Sequence, residues 1–475
     1  MASARPSSQH ASTSLRRVSN LIAAYLWVVV IVTPFRAWSS AYAGGQTADF
    51  SSRQHRDTQA IACNRPSSAS DVIPITLLHP VFGEFIDDCD NYEPNKKDHD
   101  VVLKLQTAMS HIYADEKSRA NAIRDIFESY GIYLRPTKIG SFETDGDVTW
   151  GRFVTLLAEF KNDVGWSGAE PYLQAALYYL EFTRKLAPKY SQSSLPCLIM
   201  LVFGPYLCFA GAAWNNRPNL QILSVLPFHF HFSDTRLKMM AARQLGASTR
   251  AISHIKRFYE DEYHTCDPPS PPNPSRPQPM QLFPYPTSFT SLMDSKKQSF
   301  VYHSHLDNNK LIFRAKLCDG NPKLCVKFVR QYSKEVHEYC ASINAAPKLL
   351  GFESMPGGWY MVVMTLIEGY DMLHESQSLI PMANIRAVVD QLHQRGYVHG
   401  DIRDTNVMVS SNGHVILLDF DWAGEGGKVR YPMNTHYGDD LWRPEGARDG
   451  MLITCEHDIE MMDAMSEALQ RDARC

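Results

Sequence analysis

Between Tyr397 and Val409 the chain reads YVHGDIRDTNVMV. His399, Asp401 and Asn406 stand in an H-x-D-x-x-x-x-N spacing, with Arg403 two residues past Asp401. Asp419, in LLDFD, follows across a predicted hairpin whose Asn412-Gly413 suits a tight turn. Upstream, Lys327 lies in LCVKFV, and Glu335 lies on the helix expected after it. These types in this order meet the needs of phosphoryl transfer from ATP, where a loose transition state leaves positioning and charge neutralisation to do the work. Asp401 would orient the attacking hydroxyl and take its proton. Asn406 and Asp419, brought together by the hairpin, would hold Mg²⁺, an ion that keeps few protein oxygens beside phosphate and water. Arg403 would reach the transferring phosphoryl group. Lys327 would sit on the other phosphates, held there by Glu335, or by Glu338 one helical turn away. His399 reads as a brace for the loop rather than a proton carrier.

The elements that must position these residues are legible as patterns. SFVYHSH, KLIFRAKL and KLCVKFVR predict three antiparallel strands, the third carrying Lys327. YSKEVHEYCASINAAP predicts a helix capped by Ser333 and ended before Pro347. GGWYMVVMTLIEG is an apolar strand. ANIRAVVDQLHQRG is an amphipathic helix with Ile385, Val388, Val389 and Leu392 on one face and Gly396 as its stop.

A second constellation lies earlier. In FVTLLAEFKNDVG, Glu159 and Lys161 are one residue apart at the end of an apolar run, so on a strand they share a face. Asp145 and Asp147 end the preceding strand, Gln174 follows on a helix, and Glu84 lies on an earlier helix. Carboxylates on Mg²⁺, with a lysine stabilising hydroxide or developing charge, would make a phosphodiester-cleaving site. A solvated Glu–Lys pair on a scaffold is the bland alternative. FHFHF, Phe228 to Phe232, reads as a strand with Phe inward and His outward rather than as a metal site.

The two constellations sit in separate segments. Residues 1–43 carry Arg16-Arg17, an apolar run and a small-residue Ala-Tyr-Ala site, the layout of a secretory signal or anchor. Residues 44–75 are polar and aperiodic, which predicts a disordered lead-in. A globular α/β pattern covers 76–263, a proline-dense linker 264–298, and a second globular pattern 299–475. Ten scattered Cys without a CxxC pair argue against a zinc knuckle or a disulfide framework. A net charge of -4 on 475 residues points to no global nucleic-acid or membrane surface. An ATP-using domain favours an intracellular location, cytoplasm or nucleus; membrane contact follows only if residues 21–35 are retained.

Residues 299–475 resemble the protein-kinase-like superfamily. KLCVKFV looks like its strand lysine motif, HGDIRDTN like its catalytic loop and DFD like its DFG. With VHGDIRDTN, LLDFDWAG, VRYP and EHDIEMMD in this order, the segment is most similar to a fungal kinase-like group that includes crinkler-like proteins. The resemblance implies an α+β two-lobed kinase-like domain and a protein hydroxyl as acceptor, serine/threonine type. It places Met364, Thr365 and Ile367 beside adenine, and Asp458 under the catalytic loop backbone. The sequence departs from the pattern in lacking G-x-G-x-x-G, in Gly400 for the Arg of HRD, in Asp421 for the Gly of DFG, and in lacking A-P-E. Gly400 is the residue small-molecule kinases of aminoglycoside and choline type carry, which keeps such a substrate as an alternative. A pseudokinase module of a nuclease-like effector is another. Residues 76–263 resemble the PD-(D/E)xK nuclease-like superfamily through EFKNDVG and the following Gln174, which implies a nucleic-acid partner.

Overall fold

The computed structural model describes residues 44–55, 60–140, 142–165, 169–263, 282–320, 322–373, 382–433, 435–436 and 441–472. The apolar segment at 21–35 and most of the proline-dense stretch lie outside them. No helix among the described residues is long and apolar enough to cross a membrane. The chain divides into two compact units, 1–286 and 287–475.

The first unit begins with helix α1 (Thr47–Gln54), in a stretch whose polarity predicts disorder. Its polar residues are consumed internally. Gln54 Nε2 donates to the Ile61 carbonyl at 2.8 Å, and Gln54 Oε1 accepts from Ile61 N at 2.8 Å. Phe50, Ile61 and Ile73 are buried. Satisfied buried amides look hydrophilic in sequence yet behave as core, and that is why the lead-in folds. Helices α2 (Ile75–Leu78), α3 (Pro80–Asn91), α4 (Lys96–Ser110) and α5 (Glu116–Tyr130) follow. The short pair β1 (Lys138–Ile139) and β2 (Phe142–Glu143) precedes a five-stranded sheet. That sheet comprises β3 (Gly146–Trp150), β4 (Phe153–Lys161), β5 (Cys197–Phe203), β6 (Tyr206–Asn215) and β7 (Arg217–Pro227), in sequential order.

All pairings in the five-stranded sheet are antiparallel except β4 with β5. That parallel pair is joined by α6 (Pro171–Thr183), whose N-cap is Glu170. A crossover helix is what parallel neighbours require. Every residue of β4 is buried, so Glu159 and Lys161 sit inside the unit rather than on an exposed strand end. Helix α7 (Thr235–Glu262) packs along the sheet with Ala241, Leu245, Ile255 and Tyr259 inward. The FHFHF segment is not a strand. It is the irregular exit from β7, with Phe228 and Phe230 buried but Phe232 exposed, because strand pairing stops at Pro227.

In the second unit the sheet starts earlier than the predicted boundary at 299. Strand β8 (Ser288–Thr290) pairs antiparallel with β9 (Lys297–Asp307), and Phe289 is buried. The six-stranded antiparallel sheet runs β12-β13-β11-β10-β9-β8, with β10 (Ile312–Leu317), β11 (Lys323–Val329), β12 (Leu349–Met355) and β13 (Trp359–Thr365). Helix α8 (Lys334–Ser342) follows β11, with Ser333 Oγ as its cap. The rest is strand β14 (Tyr370–Met372), helix α9 (Met382–Gln394), the short strand β15 (Tyr397–Val398), the hairpin β16 (Val407–Ser410) and β17 (Val415–Leu417), strand β18 (Gly424–Glu425), and helix α10 (Cys455–Asp472). Ile385, Val389 and Leu392 of α9 are fully buried, as the 3.6-residue period requires, against Leu417 of the hairpin and Met461 and Met462 of α10. Gly413, at φ 79, makes the hairpin turn.

Candidate active site in the second unit and an acidic cluster in the first

The hairpin does what its spacing promised. Leu418 N donates to the Asn406 carbonyl at 2.9 Å, which brings Asp419 beside Asn406 although they are far apart in sequence. Asn406 Nδ2 donates to the Asp401 carbonyl at 3.0 Å and to Asp401 Oδ2 at 2.8 Å. Spending the NH₂ group on Asp401 leaves the amide oxygen on the other side of the group. Asp419 adopts φ 68, unusual for a non-glycine residue and a conformation that the surrounding contacts must hold in place. The donor set of one amide oxygen and one carboxylate is hard and oxygen-only, which fits Mg²⁺. Among the described residues no group of three or more His, Cys, Asp and Glu is arranged to hold a metal ion. A cation held by these two groups would complete its shell with other oxygens.

Asp401 is buried and its carboxylate is held from both sides. Oδ1 accepts from Arg443 Nη2 at 2.8 Å, and Arg403 Nε lies 3.1 Å from Oδ2. Arg443 is itself pinned: its guanidinium lies 4.7 Å from the Trp422 ring centroid, and Nε donates to the His436 carbonyl at 3.1 Å. The loop backbone hangs on Asp458 of α10. Its Oδ2 accepts from His399 N at 2.8 Å and its Oδ1 from Gly400 N at 2.7 Å. His399 is fully buried; its Nε2 lies 3.0 Å from the Leu418 carbonyl, and its Nδ1 accepts from Asp401 N at 3.3 Å. It is a brace, with both ring nitrogens occupied. Gly400 sits at φ 80, and a Cβ there would meet Ile453 Cδ1 at 2.9 Å. Any side chain here is strained by the backbone and must displace the Ile453 side chain, which disfavours an arginine at this position.

Lys327 corrects one expectation. It does not pair with Glu335, which is exposed on α8. Glu338 is also exposed and pairs with Lys334 at 3.7 Å. Lys327 Nζ donates instead to Asp419 Oδ1 at 2.7 Å and to Asp421 Oδ1 at 2.6 Å. Burial lowers the affinity of this amine for its proton, but the two carboxylates more than offset that and raise it above the ordinary lysine value. Burial raises Asp421 while Lys327 pulls it down and Asp419 pushes it up, leaving it raised, to about 7. Burial acts on Asp419 in the same sense, and there Lys327 wins and holds it below the usual carboxylate range. Met364 and Thr365 end β13, where Thr365 N and Oγ1 bond the Lys348 backbone and Leu366 N donates to the Lys323 carbonyl at 3.1 Å. Ile367 follows, half-buried. Where a glycine-rich loop would stand, β9 and β10 are joined by a tight turn in which Asp307 Oδ1 accepts from Asn309 N at 2.8 Å.

In the first unit the structure regroups the acidic residues. Lys161 Nζ lies 2.7 Å from Glu159 Oε1 and 3.5 Å from Glu116 Oε1, and Asp145 is within electrostatic reach of all three. Burial raises Asp145, Glu116 and especially Glu159 above their ordinary values. Asp145 Oδ2 also accepts from Phe160 N at 2.9 Å. Tyr178 of α6 faces the same three carboxyls. Gln174, one helical turn before Tyr178, shares its helix face and has a buried amide oxygen without a hydrogen-bond partner. Two expected residues are elsewhere. Glu84 Oε2 pairs with His254 Nδ1 at 2.9 Å on α7. Asp147 accepts from Thr144 Oγ1 at 2.6 Å and Thr137 Oγ1 at 3.0 Å, a turn-fixing role. Sequence reasoning missed Glu116, at the first position of α5 after the cap Asp115, and Arg443. Neither lies in a local pattern that marks it; only packing brings each to its site.

No family model matches the chain. Over short segments it is similar to serine/threonine protein kinases. It is 32% identical over 71 residues to serine/threonine-protein kinase ppk35 of Schizosaccharomyces pombe, covering 15% of this chain and 11% of that protein. It is 26% identical over 132 residues to serine/threonine-protein kinase greatwall of Xenopus laevis, covering 25% and 14%. It is 34% identical over 68 residues to serine/threonine-protein kinase cot-1 of Neurospora crassa, covering 14% and 11%. The chain thus spans a small fraction of these relatives. Among solved structures it is similar to vaccinia related kinase 3, at TM-score 0.28 and 16% identity, over 38% of this chain and 66% of that one. The similarities in sequence are to protein-kinase-type phosphotransferases.

Proposed function

We propose that the second unit is an ATP- and Mg²⁺-dependent phosphotransferase of protein-kinase-like fold that acts on protein hydroxyls, serine or threonine rather than tyrosine. The observation that carries this is one connected set: Asn406 bonded to Asp401, the Asn406 backbone bonded to Leu418 beside Asp419, and Asp419 bonded to Lys327. Asp401 accepts a hydrogen bond from the acceptor hydroxyl and takes its proton as the oxygen attacks. Asn406 and Arg443 fix the plane of that carboxylate. Lys327 and Arg403 set positive charge where the phosphates lie. Met364, Thr365 and Ile367 line the adenine side. Asn406 and Asp419 are the residues that would hold Mg²⁺, which when bound neutralises phosphate charge. The protein acceptor is supported by the kinase relatives. Use of ATP favours an intracellular location, in cytoplasm or nucleus, and the motif order is like that of the fungal crinkler-like group.

The test is transfer of labelled phosphate from ATP with Mg²⁺ to the chain itself and to a generic protein, wild type against Asp401→Asn. A positioned group is worth on the order of 10²–10³ in rate, so transfer lost in the variant supports the reading. Turnover on small alcohols with none on protein would replace it with a small-molecule kinase.

For the first unit we infer a nuclease-like site for nucleic acid at Glu116, Asp145, Glu159, Lys161 and Gln174. The reading is supported by three carboxyls, Glu159 buried and Asp145 and Glu116 half-buried, gathered around one lysine. Mg²⁺-dependent cleavage of DNA or RNA, lost in Lys161→Ala and kept in Asp401→Asn, is the result expected. No cleavage of any nucleic acid would overturn it.

A further inference from the structure

We propose that Asp421, not a helix-borne glutamate, is the fixed partner that positions Lys327, so that the lysine anchor is built into the Asp419–Asp421 segment and helix α8 serves packing alone. This rests on the phosphotransferase reading above and deepens it. An ammonium has three donors, and Lys327 gives two of them to Asp419 and Asp421 at 2.7 and 2.6 Å. Asp419 is also a residue assigned to the cation and cannot belong permanently to the lysine. Asp421 carries no other assignment, and its side chain is mostly buried.

Helix α8 could not supply the partner as it is set. Its inward face is Val336, His337 and Cys340, all buried, while Glu335 and Glu338 are exposed. That setting is fixed through Phe420, the residue between the two aspartates. Ser333 N donates to the Phe420 carbonyl at 3.0 Å. The His337 ring stacks on the Phe420 ring with centroids 4.8 Å apart and planes 9° apart. His337 Nε2 also lies 2.8 Å from the Pro347 carbonyl. Turning α8 to bring Glu335 to Lys327 would break all three. The Asp at a position where the kinase pattern has Gly is therefore a functional replacement. Its consequence is that Glu335 is dispensable for holding the lysine, and that α8 bears on the lysine only through its contacts with Phe420.

The experiment uses the full chain and two readouts. First, the acylation rate of Lys327 by acetic acid N-hydroxysuccinimide ester is followed by peptide mass spectrometry, which needs no catalysis. Asp421→Asn should raise it roughly tenfold, because the ammonium loses one of the two acceptors that hold it. Asp421→Glu should restore protection, and Glu335→Gln should leave the rate within about twofold of wild type. Second, in phosphotransfer, Asp421→Asn should raise KM for ATP by roughly tenfold or more, with Glu335→Gln unchanged. In a Lys327→Met background Asp421→Asn should add no further loss, since the two act as a unit. Exposure of Lys327 by Glu335→Gln and not by Asp421→Asn would overturn the proposal. So would independent, multiplying effects of Asp421→Asn and Lys327→Met. Absence of transfer in wild type would count against the phosphotransferase reading alone, with the acylation readout still deciding the pairing.

Discussion

Replacing Asp401 by Asn tests two things at once, because the carboxylate is both the proposed base and the counter-ion of a buried arginine. Its side chain and that of Arg443 are 6% and 3% exposed, with 2.8 Å between Oδ1 and Nη2. Removing one partner of such a pair leaves an uncompensated charge, at about 3–5 kcal/mol. Asn retains one acceptor oxygen, and Arg443 keeps its bond to the His436 carbonyl and its stack on Trp422. Those contacts bring the expected loss to about 2–3 kcal/mol, a large share of a typical domain's stability of about 5–15 kcal/mol. Transfer rate should fall on the order of 10²–10³. The discriminating protein is the double variant Asp401→Asn with Arg443→Met. It removes the stranded charge and should recover at least about 1 kcal/mol of the lost stability, with no recovery of transfer. Urea denaturation followed by tryptophan fluorescence reads the first quantity, and labelled-phosphate transfer the second. A double variant less stable than Asp401→Asn would refute the reasoning that Arg443 is there to answer Asp401. Transfer regained in the double variant would refute the role given to Asp401.

Three further outcomes follow from the same contacts. Gly400→Ala should destabilise the second unit by about 1–3 kcal/mol, because φ 80 strains a side chain and the new methyl meets Ile453 Cδ1; a loss of unfolding free energy in urea below about 0.5 kcal/mol would contradict it. His337 is lowered by burial to about 4. Its unfolded ring takes a proton below about pH 6.5 and the folded ring only near pH 4, so stability present at neutral pH is lost as pH falls through that window. His337→Gln should be less stable at pH 7 and show a flatter decline between pH 6.5 and 4, measured by denaturant unfolding at each pH; Asp421 slopes the other way and cancels in the comparison. In the first unit, Glu116→Gln should abolish any Mg²⁺-dependent cleavage of nucleic acid as fully as Lys161→Ala does, while Glu84→Gln, whose carboxylate belongs to His254, should leave it unchanged.

Much of the second unit was legible because its informative contacts are short-range. Asn412-Gly413 fixes a hairpin, and a hairpin of known length brings Asn406 to Asp419 whatever the rest of the chain does. The strand carrying Lys327, the Ser333 cap and the buried face of α9 are likewise local consequences of residue type and period. Asp458 was readable through the resemblance and sits under His399 and Gly400 as expected.

What failed depended on the orientation of one element against another. The pattern places Glu335 on a helix after the lysine strand, but it cannot say how that helix is rotated, and the His337–Phe420 stack turns Glu335 to solvent. Glu84 and Glu116 are both helix carboxylates in the sequence; packing alone sends one to His254 and the other to Lys161. Residues 44–75 look polar because a buried Gln54 that satisfies its own surroundings has the composition of a loop. Sequence by itself determined which groups are available for chemistry and, within a hairpin or a helix turn, which of them meet. Tertiary structure decided which carboxylate answers Lys327 and which arginine answers Asp401, because burying a charge forces it to take whatever partner the packed elements bring within about 3 Å.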